Sequence, residues 1–94
     1  MEIKPIEVYS EDTNVAIVRA PGRQFPGSVI QGDSLSILLS NAKDVWEKVK
    51  DSNDEDLVGS AQELVELLQM RLDHYERVLS EHGIGLPYGK RSER

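Results

Sequence analysis

Two apolar stripes with helical spacing, between residues 33 and 82, constrain the fold of this chain more than any other feature. Residues three and four positions apart lie on one face of an α-helix, so each stripe predicts one amphipathic helix. The first stripe consists of Leu35, Leu38, Leu39, Ala42, Val45, Trp46 and Val49, and the second of Leu57, Ala61, Leu64, Val65, Leu68, Leu72, Tyr75 and Leu79.

Residues that typically begin a helix precede both stripes. Asp33 or Ser34 is expected to cap the first helix, because short polar side chains accept hydrogen bonds from the free N–H groups of a first turn. Ser52 and Glu55 have the spacing of a capping box before the second helix. We therefore predict helices over residues 33–51 and 54–82. Because the connection between them is short, the two helices should pack as an antiparallel hairpin.

The second stripe is followed by residues that typically end a helix. Gly83 can adopt the left-handed conformation that closes a helix, and Ile84 can fold back as the accompanying apolar contact. His82 lies in the last turn, where a cap is a more natural role for its ring than a ligand. Residues 83–94 then form a tail whose end we expect to be flexible.

The first 32 residues are rich in β-branched side chains. They predict short strands over residues 3–9, 14–20 and 28–31, with a turn at residues 11–14. Pro5 cannot donate a ladder hydrogen bond, so it places the first strand at an edge or delays its start. The predicted fold is a single α+β domain over residues 1–94: a small antiparallel sheet of two to three strands, then the helical hairpin.

The segment between the second and third strands contains Pro-Gly at both ends, at residues 21–22 and 26–27. Proline suits the second position of a type II turn and glycine the third, so two such turns are expected to hold the loop between them. Arginine and aromatic residues on a rigid loop are typical of protein interfaces. The candidate binding residues are Arg19, Arg23, Gln24, Phe25 and Gln31. In the alternative interpretation, Phe25 closes the core under the helices and the arginines pair with acidic helix residues.

The two predicted helices differ in length and expose unequal apolar surfaces. At 1.5 Å per residue they should be roughly 25 Å and roughly 40 Å long, so the second extends past the first. Leu67, Met70, His74 and Val78 widen the apolar arc of the second helix beyond its main stripe. We expect the sheet and the tail to cover this surface, or a second copy of the chain to do so in a homodimer.

The charge of the chain is concentrated in the helical region. Of the net charge of −6, residues 1–32 carry −1, residues 33–82 carry −7 and residues 83–94 carry +2. Nucleic acids and anionic membranes need clustered basic residues, so neither is expected as a partner. There is no cysteine, no apolar run approaching the roughly 20 residues of a membrane span, and no signal-peptide pattern, which favours a cytoplasmic location.

The block Gly32-Asp33-Ser34-Leu35 resembles the nucleophile segment of GDSL-type esterases. Those enzymes also require an Asp-x-x-His segment, whereas Asp73 and His74 are adjacent and would point about 100° apart on a helix. The acidic residues of the second helix do not converge on one point, so no metal site is expected. We predict no catalytic residue and no cofactor. The alternative is a small-ligand-binding or hydrolytic domain at the strand–helix junction Gly32-Asp33-Ser34, where a helix N-terminus could bind an anion.

Residues 19–35 resemble the central block of a small bacterial family of unknown function, with the pattern R-x-P-G-R-x-F-P-G-x-x-x-Q-G-D-S-L. His74-Tyr75-Glu76 and His82-Gly83-Ile84 match two further segments of that family. The resemblance implies a bacterial, cytoplasmic protein and transfers no activity. The loop of residues 19–31 and the acidic helices favour a small non-enzymatic protein-binding module, of the immunity type or a regulatory adaptor, with another protein or a second copy as its partner.

Overall fold

The computed structural model describes residues 1–12 and 15–89. Over these residues the chain forms strands β1 (Glu7–Ser10), β2 (Ala16–Arg19) and β3 (Gly27–Val29), followed by helices α1 (Gly32–Val49) and α2 (Glu55–Glu81). They belong to two compact units, Met1–Gln31 and Gly32–Arg94. The predicted α+β class is confirmed. The predicted turn at residues 11–14 and the end of the tail lie partly outside the described residues.

The three strands form one antiparallel sheet in the order β1-β2-β3. Glu7 lies opposite Arg19 and Val8 opposite Val18, and a bulge follows between Val8 and Ser10. The first strand was predicted from residue 3 but begins at Glu7, two residues after Pro5. It is also an edge strand, so both consequences expected of the proline are observed.

The two Pro-Gly pairs have different structures. Gly22 has a φ of 79°, and the Arg23 N–H donates to the Ala20 carbonyl over 3.1 Å, as a type II turn requires. Gly27 instead begins β3 and pairs with Val18. The prediction of a second type II turn is therefore wrong. Pairing with β2 holds the backbone of Gly27 in an extended conformation, and this overrides the local preference of Pro-Gly for a turn.

Helix α1 begins at Gly32, one residue earlier than predicted, and ends at Val49 rather than residue 51. Asp33 and Ser34 consequently lie inside the first turn and not at the cap position. The Asp33 carboxylate still accepts the Ser34 N–H over 2.9 Å, so it satisfies one of the free donors of that turn.

Helix α2 is capped by Asp54, whose carboxylate accepts the Leu57 N–H over 3.1 Å. The predicted capping box between Ser52 and Glu55 is wrong. The Ser52 hydroxyl accepts the Asp54 N–H over 3.0 Å and so positions the cap, while Glu55 is the first helical residue. Asp54 directly precedes the helix, so its carboxylate lies at the cap position, whereas Ser52 lies two residues further from the helix.

The C-terminus of α2 has the predicted glycine closure. Gly83 has a φ of 66°, its N–H donates to the Ser80 carbonyl, and the Ile84 N–H donates to the Leu79 carbonyl over 2.9 Å. These two bonds define a Schellman motif. The His82 Nδ1 lies 2.9 Å from the Val78 carbonyl oxygen, which can only accept, so the predicted capping role of His82 is confirmed.

The helical unit has a small core. Leu35, Leu39 and Leu72 form its buried centre, and Val65, Leu68, Tyr75 and Tyr88 pack against it. Tyr88 comes from the tail, and its hydroxyl donates to Glu76 over 2.8 Å, so the tail returns to cover part of the hairpin as expected. With 18 and 27 residues, the helices are about 27 Å and about 40 Å long, and the predicted inequality is confirmed. Among the described residues, no helix has the length and apolarity to cross a membrane.

Candidate protein-binding loop

The loop of residues 20–26, which joins β2 to β3, is fixed at both ends by backbone hydrogen bonding. At its start, the turn through Gly22 brings Arg23 back to Ala20. At its end, Gly27 pairs with Val18 in the sheet. Only a few residues remain between these two anchors, so the backbone conformation of the loop is restricted and its central side chains have defined positions.

Phe25 is the most conspicuous side chain of this loop because 74% of its surface is exposed. Arg23, Gln24 and Gln31 are exposed as well. The structure thus brings Arg23, Gln24 and Phe25 together in one short loop, and it places Gln31 after β3, at the end of the first unit. Aromatic side chains are enriched in protein interfaces relative to the rest of the surface.

Arg19 has a partner within the sheet. Its Nε donates to the Glu7 carboxylate over 3.0 Å, and its Nη2 contacts the same oxygen. Tyr9 also donates to Glu7 over 3.0 Å. The hydrogen bond from Arg19 is the main cause that lowers the pKa of Glu7, and the hydrogen bond from Tyr9 is the second. The Arg19–Glu7 hydrogen bond also raises the pKa of Arg19. Arg19 therefore links β1 to β2, and Arg23 is the freer cation for a partner. The alternative interpretation paired Arg19 with a helix carboxylate, whereas its partner here is the carboxylate of Glu7 on β1.

A shallow groove of about 470 Å³ lies beside the loop in the same unit. Pro5, Ile6 and Glu7 form one wall, and residues 19–23 form the other. The groove combines apolar side chains with the carboxylate of Glu7 and the two guanidinium groups. Its openness suits the side chains of a protein partner better than an enclosed small molecule.

The junction Gly32-Asp33-Ser34 has a packing explanation. The Tyr75 ring lies so close to the Gly32 Cα that a Cβ at this position would overlap the ring carbons and the hydroxyl. The glycine of the esterase-like block is therefore required by a helix–helix contact. His74 Nδ1 accepts from Arg77 over 2.7 Å and the His82 ring contacts the Val78 carbonyl, so both histidines are engaged on their own helix. The hydrolytic alternative remains a prediction without a supporting contact.

No group of three His, Cys, Asp or Glu side chains that could hold a metal ion occurs within residues 1–12 and 15–89. Some acidic side chains of α2 make pairs within their own helix. Gln62 donates to Glu66 over 3.2 Å, and Gln69 donates to Asp73 over 2.9 Å. These contacts are typical of a solvated helical surface.

The predicted apolar stripes are only partly buried, which the spacing of the residues did not reveal. Leu38, Val45, Leu57 and Leu64 all belong to the stripes, yet each is 44–49% exposed. We call these four side chains the hairpin patch. A stripe identifies the face of a helix, but the breadth of the neighbouring helix decides how much of that face is covered.

The four residues lie on one side of the hairpin. The other side contains a groove of about 750 Å³ in which Ser36, Lys43 and Glu47 of α1 meet Val65 of α2. Successive helical residues are rotated by about 100°, which turns Leu38 and Val45 of α1 away from that groove. The same rotation turns Leu57 and Leu64 of α2 away from Val65. The hairpin patch is therefore a single surface formed by both helices.

A family of unknown function (DUF6959) matches residues 1–88. Neither a curated protein nor a solved structure matches the chain. Because the match covers most of the sequence, the chain belongs to this family, and the family description names no activity.

Proposed function

We propose that this member of a family of unknown function is a small non-enzymatic protein-binding module that contacts its partner through the 20–26 loop. The observation that carries the proposal is the 74% exposure of Phe25 in a loop anchored by a turn and by strand pairing. An immunity-type or regulatory adaptor role, in a bacterial cytoplasm, belongs to the same proposal.

The chemistry of the loop specifies what the partner must offer. Phe25 requires an apolar pocket, because burying its ring releases water from a large apolar surface. Arg23 stands two residues away and is exposed, and its guanidinium can bind a carboxylate with two parallel hydrogen bonds. The expected partner surface is an apolar pocket bordered by at least one acidic side chain.

The anchored backbone of the loop also supports binding. A loop that is already ordered loses little conformational entropy when it associates, so more of the contact energy appears as affinity. The turn at Gly22 and the pairing at Gly27 restrict the backbone on either side of Phe25. The Arg19–Glu7 pair joins β1 to β2 beside the start of the loop.

The proposal is tested by capturing partners from a lysate of the native host with the full chain and with Phe25→Ala, followed by calorimetry with the purified partner. The affinity should fall by about 30-fold or more if Phe25 is an anchor of the interface. Ile3→Ala is the matched control, because Ile3 is 90% exposed in the same unit and lies outside the loop. Equal affinity of Phe25→Ala and the unchanged chain would refute the proposal.

The dependence on salt tests the role of Arg23 separately. Binding through an exposed guanidinium should weaken as salt screens the charges, and Arg23→Gln should reduce the steepness of that dependence. If affinity does not change with ionic strength, Arg23 does not face an acidic group and the acidic part of the expected partner surface is wrong.

A further inference from the structure

We propose that the hairpin patch is the interface of a symmetric homodimer, in which the patch of one copy packs against the same patch of the other. This inference is independent of the proposed function, because it uses other residues in the other compact unit.

The electrostatic argument concerns where the acidic residues lie. Residues 33–82 carry −7, so most surfaces of the two helices would repel a second copy. On both helices, every acidic residue projects at least about 90° away from the direction of the patch side chains. The polar residues whose directions lie nearest to the patch are Ser34 on α1 and Ser60 and Arg71 on α2, none of which is negative. The patch is thus the part of the hairpin where self-association meets no opposing carboxylate.

The size of the patch agrees with a dimer interface. Its four side chains, each 44–49% exposed, present roughly 300 Å² of apolar surface. A standard interface buries about 800 Å² per partner, of which about two thirds, roughly 520 Å², is apolar in homodimers. The patch supplies more than half of the apolar area that such an interface needs, and the residues at its border supply the rest of the contact and the polar rim.

The symmetry follows from the use of a single surface. When each copy contributes the same patch, a two-fold axis passes through the interface and the assembly closes at two copies. Leu38 and Val45 on α1, with Leu57 and Leu64 on α2, form a strip along the hairpin that can pack against its own copy in this manner. Every second copy presents the same apolar patch, and its concentration equals that of the protein itself.

The test measures the mass of the full chain by sedimentation equilibrium, with Leu64→Glu as the perturbation. The unchanged chain, 10.6 kDa as a monomer, should sediment at about 21 kDa at about 50 µM. Leu64→Glu should sediment as the monomer and weaken the dimer by at least about 100-fold, because the two-fold axis brings both glutamates into the interface. Circular dichroism checks that the helices are retained.

Met70→Glu is the matched control, since Met70 is 60% exposed on α2 and points away from the patch. This variant should remain dimeric. A monomeric mass for the unchanged chain across the accessible concentrations would overturn the proposal and indicate that the patch is covered within the chain or by a different protein. Dissociation by Met70→Glu as strong as that by Leu64→Glu would also overturn it.

Ionic strength separates this inference from the proposed function. Two acidic copies repel each other outside the patch, so added salt should strengthen the homodimer. Partner binding through Arg23 should weaken under the same conditions. If the homodimer dissociates as the salt concentration is raised, the hairpin patch is not its interface. This conclusion does not depend on the result for Phe25→Ala.

Discussion

Substitution of Gly32 by alanine should destabilise the protein even though the residue lies in a helix. Gly32 is buried in the first turn of α1, and the ring of Tyr75 occupies the space where a Cβ would be. The added methyl must displace the ring, which packs against the core leucines, or push the helices apart. Overpacking of this kind typically costs about 1–3 kcal/mol. The better helix propensity of alanine returns at most about 1 kcal/mol, so we expect a net loss of about 1–2 kcal/mol.

The matched control is Gly59→Ala in α2. A Cβ at Gly59 would meet no atom within 4 Å, and the residue lies within the helix. The same substitution should there increase the free energy of unfolding by about 0.5–1 kcal/mol, because only the propensity of alanine acts. The two substitutions are thus expected to have opposite signs, which a general effect of removing glycine cannot produce.

Urea unfolding followed by far-UV circular dichroism, at one fixed protein concentration, measures both effects. The mechanism is tested further in a Tyr75→Ala background, where the methyl at position 32 has no ring to displace. Gly32→Ala should then lose its cost and become neutral or slightly stabilising, so the pair is non-additive. If Gly32→Ala is as stable as the unchanged chain, or if the cost persists without the ring, the packing explanation of this glycine is refuted.

Three further predictions concern the caps and the sheet. Asp54→Ala removes the acceptor of the Leu57 N–H and should lower the free energy of unfolding by about 1 kcal/mol, which urea unfolding would detect. Gly83→Ala forces a side chain into the left-handed conformation at φ 66° and should cost about 1 kcal/mol; an unchanged midpoint would contradict this. The pKa of Glu7, followed by NMR titration of its carboxyl carbon, should lie below the ordinary glutamate value and rise towards it in Arg19→Gln. Since the folded-state pKa is the lower one, the stability contributed by Glu7 is present above its unfolded pKa and is lost as pH falls through the folded pKa.

The esterase-like block illustrates how a short motif can be explained without chemistry. Its glycine is required by the Tyr75 ring, and its aspartate accepts a backbone N–H in the first turn of α1. Both roles are structural and both depend on the position of the block at the start of a helix. A short motif without the rest of a catalytic site is therefore not evidence of the chemistry that it resembles.

The local features of the fold could be predicted because they depend on local interactions. The helical spacing of the apolar residues, the glycine closure at Gly83 and the delay of β1 after Pro5 each follow from hydrogen bonds or steric limits within a few residues. The type II turn at Gly22 was predictable for the same reason.

The features that carry the proposals were decided by contacts between distant parts of the chain. Pairing with Val18 placed Gly27 in a strand and not in a turn, and the Tyr75 ring gave Gly32 its packing role. The exposure of Phe25 and of the hairpin patch could not be read from the sequence, because spacing identifies an apolar face but not what covers it. The amino-acid sequence by itself determined two amphipathic helices after a small β-rich segment. Only the tertiary structure decided which apolar side chains those helices bury and which remain for a partner.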